Sequence, residues 1–494
     1  MNGEGSRGRL KISFLPVHLN NNRRRVVTLP FEVNTYVQVA DIFERVARLS
    51  DDEVSQALAE VLRDFGDRHN QLTHRLEEHY AIAARLVDLK EELSRERKLL
   101  LGAYFTMEYS LESTALFNPS IVPHPDQSGA GPGEVRFVMS LRALGEGHLS
   151  STVFQTGTIA ADGSFRLDPP SGFSARTRVN PDRIYYKELF GRKLKEMGLD
   201  AGVTKRVLSR VPDEFTLAHL LHAVDVARAS DAMLPQYETV FSTMIWVARA
   251  NYQLQLAPGE SISDLILFPH SQSEARGIED LRLVRYVDTD GSARYYGTYT
   301  AFDGQNILPM LLETEDFRTI SIHTLNGACV QNKGMALFPR RIDGHYVMCS
   351  RIDGRNLYLM YSDYVHFWET ARLLAAPKYP WELRLIGNCG SPLETPAGWL
   401  LLTHGVGPMR RYCIGAMLLD LKDPFRIIGR LREPLLAPSV EEREGHVPNV
   451  VYSCGGMIHG GKLIIPYAFS DTATRIALVE VDELLERLVK DGAG

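Results

Sequence analysis

One strand motif recurs five times between residues 137 and 471, and it limits the fold more than any other feature. Each copy is a short apolar run ending in a polar residue. The copies are Phe137-Val138-Met139-Ser140-Leu141-Arg142, Tyr296-Gly297-Thr298-Tyr299-Thr300, Tyr346-Val347-Met348-Cys349-Ser350-Arg351, Leu400-Leu401-Leu402-Thr403-His404 and Leu463-Ile464-Ile465-Pro466-Tyr467-Ala468-Phe469-Ser470-Asp471. A loop, a second strand and an Asp-aromatic turn follow, as in Asp162-Gly163-Ser164-Phe165, Asp316-Phe317, Asp363-Tyr364 and Asp423-Pro424-Phe425. The later copies are roughly fifty to sixty residues apart, close to one four-stranded propeller blade. Five copies predict five blades. Radial repetition aims equivalent strand ends at one axis, so Arg142, Thr300, Arg351, His404 and Asp471 are expected to converge.

Upstream, residues from about 36 to 112 read as helical. Ser50-Asp51-Asp52-Glu53 is a capping box, set to satisfy free backbone N–H groups at a helix start. Val54, Leu58, Val61, Leu62 and Phe65 mark one helical face, and Gly66 stops it. Leu72, Leu76, Tyr80, Ala83 and Val87 carry a second helix, with a charged extension from Lys90 to Leu101. His69, His74 and His79 step by five residues onto different helix faces, so they are expected to be solvated or partner-facing rather than ligands. The strand spacing breaks between Pro181 and about Val240, where Ile184 to Met197 and Asp213 to Ala229 read as helices. The expected architecture is therefore mainly β. A five-bladed β-propeller spans 113–490, an α-helical N-terminal extension spans 1–112, and a helical insertion lies at about 181–240. The insertion is expected to cover a sheet edge or rim the active face. The N-terminal helices are expected to pack on the main domain or to form homo-oligomer contacts.

The chain has 494 residues, too many for one ordinary core. Its 44% hydrophobic and 23% charged content is that of a soluble globular protein. A net charge of −6 argues against a broad basic surface for nucleic acid, and Arg23-Arg24-Arg25 reads as a solvated loop. Met1 to Ser6 lacks an apolar signal core, and no uncharged run is long enough for a membrane span. Cys329, Cys349, Cys389, Cys413 and Cys454 are odd in number and lack CxxC spacing. Buried reduced thiols in a cytoplasmic protein are expected. No metal-ligand cluster or dinucleotide fingerprint stands out, so no metal is expected.

The stretch richest in chemistry is Arg276-Gly277-Ile278-Glu279-Asp280-Leu281-Arg282, two adjacent carboxylates between arginines. It reads as a strand entered from a polar loop, followed by a hairpin at Asp288-Thr289-Asp290-Gly291. In a regular strand Glu279 and Asp280 point to opposite faces, so an arginine can anchor one while the other faces a cavity. The plainer reading is a strand end tied by surface ion pairs.

Taken in order, several stretches resemble glycoside hydrolase family 130, the β-mannoside phosphorylases and β-1,2-mannosidases. They are Phe117-Asn118-Pro119, Gly277-Ile278-Glu279-Asp280-Leu281-Arg282, Asn332-Lys333-Gly334 with Leu337-Phe338-Pro339, Ile386-Gly387-Asn388-Cys389-Gly390, Gly398-Trp399-Leu400, Thr403-His404-Gly405-Val406, Leu418 to Pro424, and Gly445-His446-Val447-Pro448-Asn449-Val450-Val451. The resemblance covers about residues 115 to 485. It implies a five-bladed propeller and inverting cleavage of β-1,2- or β-1,4-linked manno-oligosaccharides. Asp280 is the implied catalytic acid, protonating the glycosidic oxygen through a sugar hydroxyl. In the family's phosphorylases inorganic phosphate attacks as co-substrate and gives α-mannose 1-phosphate, with no cofactor. The implied sugar-binding set is Asn118, Arg142, Glu279, Arg282 and Asp471. Lys333, Arg351 and His404 fall on phosphate-contacting positions, as does Leu385, which cannot bind phosphate.

Phosphate is already an anionic nucleophile and needs only fixed cations and donors beside the sugar. A hydrolase needs a carboxylate base, roughly 6.5–9.5 Å from the acid. The base candidates are Glu394, within Ser391-Pro392-Leu393-Glu394-Thr395, and Glu441, Glu442 and Glu444, before Gly445. The retained Arg351 and His404 favour phosphorolysis, with β-1,2-mannosidase activity as the alternative. A non-catalytic mannoside-binding propeller is a third reading, which the intact Glu279-Asp280 pair opposes. As a general acid, Asp280 is expected in a pocket that favours its neutral form. Arg351 could instead pair with Asp353 or Asp280, and His404 could be a turn histidine. Trp368, Trp381 and Trp399 read as core.

Overall fold

The structure, a computed structural model, describes residues 10–493 except 32–35, 89–91, 170–172, 181–182 and 231–234. The sequence readings that fall on Met1 to Ser6, Lys90 and Pro181 lie outside the described residues.

Each repeated strand is the second strand of an antiparallel group. The first group runs Ala115–Pro123, Glu134–Leu144, Ser150–Ala160 and Phe165–Leu167. The second runs Gly277–Val287, Ala293–Phe302, Ile307–Thr314 and Thr319–Thr324, and a parallel bridge from Gly277 to Ser150 joins it to the first. Ala336–Leu337, Tyr346–Ser350, Leu357–Ser362 and Ala371–Ala375 make the third. Leu385–Asn388, Gly398–Val406, Tyr412–Leu419 and Ile427–Arg430 make the fourth, with Leu393–Thr395 also on its second strand. The fifth contains Val451–Tyr452 and Met457–His459, then Lys462–Phe469, Ala473–Glu480 and, from the far end of the chain, Ile12–Leu19.

Side-chain alternation explains how these groups pack. Successive residues of a strand face opposite sides of its sheet. Leu400 and Leu402 join a core shared with Leu463, Ile465 and Ala477 of the fifth group. Leu401 between them, with Trp399, joins a core shared with Val347, Cys349 and Leu359 of the third. Val284, Tyr286 and Tyr296 pack on Met348, Met360 and Trp368, joining the second and third groups. Val138 and Phe154 meet Leu283 and Tyr299, joining the first and second. Phe137, Met139 and Leu141 meet Ile464, Ile476 and Leu478, joining the first and fifth. Each group is thus buried on both faces, and the contacts run in a cycle. Each fully buried large side chain contributes about 1.5–3 kcal/mol. Trp368 and Trp399 are fully buried, as read from the sequence, whereas Trp381 is half-buried and donates Nε1 to Arg432 O at 3.1 Å.

The N-terminal segment is more than a helical extension. Its first strand completes the fifth group, and Val26–Pro30 pairs with Thr106–Ser110. Helices Tyr36–Ala47, Asp51–Phe65, Leu72–Ala84 and Arg95–Tyr104 lie between, the second started by the expected Ser50–Glu53 capping box. Arg25 is not solvated, because it pairs with buried Glu112 at 3.0 Å and donates to Ser263 O at 2.8 Å. His69 and His79 are buried rather than solvated, on Glu108 and Thr106 at 2.7 Å each, so the small helical unit has polar contacts that periodicity alone did not reveal.

The insertion has its own core, with Tyr185, Phe190, Val207, Phe215, Val224 and Met244 buried together. Its helices are Lys187–Glu196, Ala201–Leu208, Leu217–Ser230 and Pro235–Arg249. Tyr185–Tyr186 pairs as a short strand with Glu214–Phe215, which delays the first helix to Lys187. Cys349, Cys389, Cys413 and Cys454 are buried, Cys329 is partly so, and all five thiols are free. No helix among the described residues is long and apolar enough to cross a membrane.

Candidate active site

Two β-bulges make the centre of the site. The register between the two strands of the first group slips between Phe117 and Ser120, with Asn118 at φ 49°. The equivalent slip in the second group lies between Glu279 and Arg282, with Asp280 at φ 57°. Asn and Asp are among the few non-glycine residues that tolerate the left-handed region, and bulges re-aim side chains. The sequence expectation of opposite faces therefore fails. The bulge turns both carboxylates onto one guanidinium: Arg142 Nη2 donates to Glu279 Oε1 at 2.8 Å and Nη1 to Asp280 Oδ1 at 3.4 Å. Asn118 Nδ2 donates to the same Asp280 oxygen at 2.7 Å. Arg142 is itself held by Ser150 Oγ at 3.0 Å and lies over the Phe117 ring.

Arg282 braces this centre from below. It is 2% exposed, donates to Asp280 O at 2.9 Å and to Tyr452 Oη at 2.7 Å, and approaches Asp280 Oδ2 at 3.8 Å. Burial alone would raise the Asp280 pKa, but Arg142, then Arg282, the Asn118 amide and Lys333 outweigh it and hold the carboxyl below its ordinary range. The expected neutral-favouring pocket is thus corrected: in this arrangement Asp280 is ionised. Asp471 is the opposite case. It sits at φ 48° in the turn after Lys462–Phe469. Burial first, then repulsion from Asp280, push its carboxyl up to about 6, against the pull of Arg142 and Arg410.

Lys333, and His404 with its partner Arg351, lie on the same electrostatic network as Asp280. Lys333 Nζ donates to the second oxygen of Glu279 at 2.5 Å. Arg351 Nη1 donates to His404 Nε2 at 3.1 Å, and His404 Nδ1 donates to Asn388 O at 3.2 Å. Arg351 thus takes neither Asp353 nor Asp280 as its hydrogen-bond partner. Burial first, then Arg351 and Arg282, hold His404 well below its ordinary pKa, so it is neutral. It accepts from Arg351 and orients it, whereas the sequence reading has it donate to an anion. Gly387 is required beneath it, since a Cβ there would lie 2.5 Å from the imidazole Cε1. The loops also interlock. A Cβ on Gly354 would meet Asn332 Nδ2 at 2.7 Å, and one on Gly334 would meet Asn388 Oδ1 at 3.9 Å, so the Lys333 and Arg351 segments are neighbours. Asn118 Oδ1, Asn388 Oδ1 and Arg351 Nε are buried with no hydrogen-bond partner among the described residues. They are polar groups suited to a polyhydroxylated or anionic ligand.

Two of the alternative bases, Glu394 and Glu442, are held by other side chains. Glu394 is bound by Arg340, with contacts of 2.7–3.2 Å. It lines a cavity of about 390 Å³ together with Leu283, Val284, Arg285 and Val287. Those residues lie three to seven positions along the strand from Asp280, roughly 10–23 Å away at the usual rise. Glu442 is buried and structural, accepting from Tyr467 Oη at 2.8 Å, Arg475 at 3.1 Å and Ser439 N at 3.1 Å. Glu441 and Glu444 are exposed on the same loop. Thr300 is buried, paired with Glu279 across the bulged ladder.

Sequence reasoning missed Tyr452 and Asn388. Asn388 stands within Ile386-Gly387-Asn388-Cys389-Gly390, and Tyr452 follows the Asn449-Val450-Val451 run. The fold also gathers Glu313, His323 and His366, whose ligand-type atoms lie within 4.8 Å of one another. Arg183 donates to His323 at 2.8 Å and Arg294 to Glu313 at 2.6 Å, so arginine side chains already supply positive charge to that cluster.

Comparison with known proteins identifies the family. The sequence model of glycoside hydrolase family 130, described as beta-1,4-mannooligosaccharide phosphorylase, matches residues 260–490. The 1,2-beta-oligomannan phosphorylase of Thermoanaerobacter sp. (strain X514) is 32% identical over 225 residues, 44% of this chain and 73% of that protein. A beta-1,2-mannobiose phosphorylase of the same organism is 34% identical over 224 residues, 44% of this chain and 72% of that protein. Among solved structures, the beta-1,2-mannobiose phosphorylase from Listeria innocua is 19% identical, covers 77% of this chain and 93% of its own, and superposes with a TM-score of 0.45. The chain is an enzyme of the glycoside phosphorylase and glycosidase class. It belongs to glycoside hydrolase family 130.

Proposed function

We propose that the protein is an inverting phosphorylase of β-linked manno-oligosaccharides, built as a five-bladed propeller whose axis carries the site. The cyclic packing of five antiparallel groups supports the propeller reading. The names of the relatives, β-1,2- and β-1,4-mannoside phosphorylases, support the substrate class. The observation that carries the reaction type is the pairing of Arg351 with His404, next to the Lys333 loop and on the network of Asp280.

In this reading Asn118, Arg142, Glu279, Arg282 and Asp471 hold the mannosyl unit. Lys333 has three donors, so it can keep Glu279 and still contact a phosphate oxygen. Arg351, held by His404, supplies a planar donor pair to the dianion. Phosphate attacks the anomeric carbon, the glycosidic C–O bond breaks, and the leaving oxygen takes a proton delivered by Asp280 through a sugar hydroxyl. The products are α-mannose 1-phosphate and the shortened saccharide. Asp280, ionised in the free site, must be protonated before each turnover. Burial under substrate and the neighbouring carboxyl of Asp471 both favour that proton. Arg351→Ala tests the assignment. It is expected to raise the phosphate KM about tenfold or more while the mannoside KM stays within twofold, the loss of a charge-assisted hydrogen bond being about 1.5–3 kcal/mol. An unchanged phosphate KM would remove Arg351 from the phosphate site.

A further inference from the structure

The insertion meets the β-groups at the loop that carries Lys333. Its Lys187–Glu196 helix ends on the loop leading from Thr319–Thr324 to Lys333. Glu196 Oε2 accepts the backbone N–H of Gly327 at 2.7 Å. Glu196 Oε1 accepts from Lys193 Nζ at 3.1 Å, and Lys193 Nζ also reaches Leu325 O at 3.4 Å. The Lys193 side chain is 8% exposed. A carboxylate in the last turn of a helix opposes the helix dipole. Its neutralisation by Lys193 and its bond to a loop amide account for its presence there.

From Gly327 the chain is locked turn by turn to Lys333. Gly327 stands at φ 109°, and a Cβ there would lie 2.3 Å from Trp368 O. Cys329 N donates to Trp368 O at 3.1 Å and Val330 N to Gly327 O at 2.9 Å. Gln331 Nε2 returns to Ala328 O at 2.8 Å. Asn332, at φ 65°, accepts the Lys333 N–H on its side chain at 2.9 Å. A shift at Gly327 is therefore carried along the tightly bonded heptapeptide Gly327 to Lys333 to the ammonium that holds Glu279.

We propose that Glu196, carried by the insertion and charge-matched by Lys193, is a positioning residue that fixes the Lys333 loop for phosphate. This deepens the phosphorylase reading and rests on it. Loss of the clamp lowers the fraction of enzyme with Lys333 in place, and apparent affinity falls by that fraction. In the full-length enzyme, Glu196→Ala is expected to raise the phosphate KM about tenfold with the mannoside KM within twofold. Glu196→Gln keeps an acceptor oxygen and is expected to restore most of the phosphate affinity. Hydrogen exchange of peptides spanning 325–334 is expected to be faster in Glu196→Ala than in wild type or Glu196→Gln. An unchanged phosphate KM in Glu196→Ala, or an equal rise in both KM values, would overturn the proposal. Should wild type turn over mannosides without phosphate, the phosphorylase reading fails by itself. The exchange comparison then decides the clamp: unchanged protection at 325–334 would overturn it, and selective loss would support it.

Discussion

Asp471→Asn gives a quantitative test of the electrostatics. The folded-state pKa of Asp471 is raised from 3.8 to about 6, by burial first and then by Asp280. A raised carboxyl disfavours the charged form on folding. Its contribution is intact below the unfolded pKa, near 4, and is lost as pH rises through about 6. A shift of this size costs about 3 kcal/mol above pH 7 and about half of that at pH 5. Asparagine removes this cost without a change of shape. With unfolding entropy of about 2.1 cal/mol/K per residue, a cooperative unit of this length gains about 3 °C in Tm at pH 7.5 and about half as much at pH 5. Scanning calorimetry of both proteins at the two pH values measures the difference. A variant whose Tm runs parallel to wild type at both, or falls more at pH 7.5, would refute the raised carboxyl and the Asp280–Asp471 repulsion behind it.

Asp280→Asn should lower turnover by about a hundredfold to ten-thousandfold, the range for a lost general acid, with an unchanged circular dichroism spectrum. Near-normal activity would remove Asp280 from the acid role. Glu394→Gln should leave kcat within twofold, because Glu394 is bound to Arg340 and lines a cavity with Leu283 to Arg285 and Val287 rather than with Asp280. A large loss in hydrolysis assays would restore it as a base.

The repeated second strands could be read from the sequence because they are continuous apolar runs ending in a polar residue. Leu400, Leu401 and Leu402 must serve two cores, and only a sheet buried on both faces accepts three consecutive leucines. The expected convergence of Arg142, Thr300, Arg351, His404 and Asp471 came from the same repeat, since equivalent strand ends carry them; Arg142, His404 and Asp471 each interact with Asp280. The left-handed bulges at Asn118 and Asp280 were not legible. A slipped register leaves the residue order intact and changes only which way a side chain points. The fate of Glu442 was equally hidden, because its partners Tyr467 and Arg475 lie 25 and 33 residues away. The first strand, Ile12–Leu19, was missed because its partner is Ala473–Glu480, at the other end of the chain. That His404 is neutral, and so able to accept from Arg351, depends first on its burial, which no single residue type signals.

The central claim is that phosphate, not water, is the nucleophile. The direct measurement is product analysis after incubation with β-1,2-mannobiose or a β-1,4-manno-oligosaccharide, with and without inorganic phosphate, by phosphorus and proton magnetic resonance. Phosphate-dependent formation of α-mannose 1-phosphate, with almost no cleavage in its absence, is the predicted result. Free mannose released at the same rate with or without phosphate would contradict it.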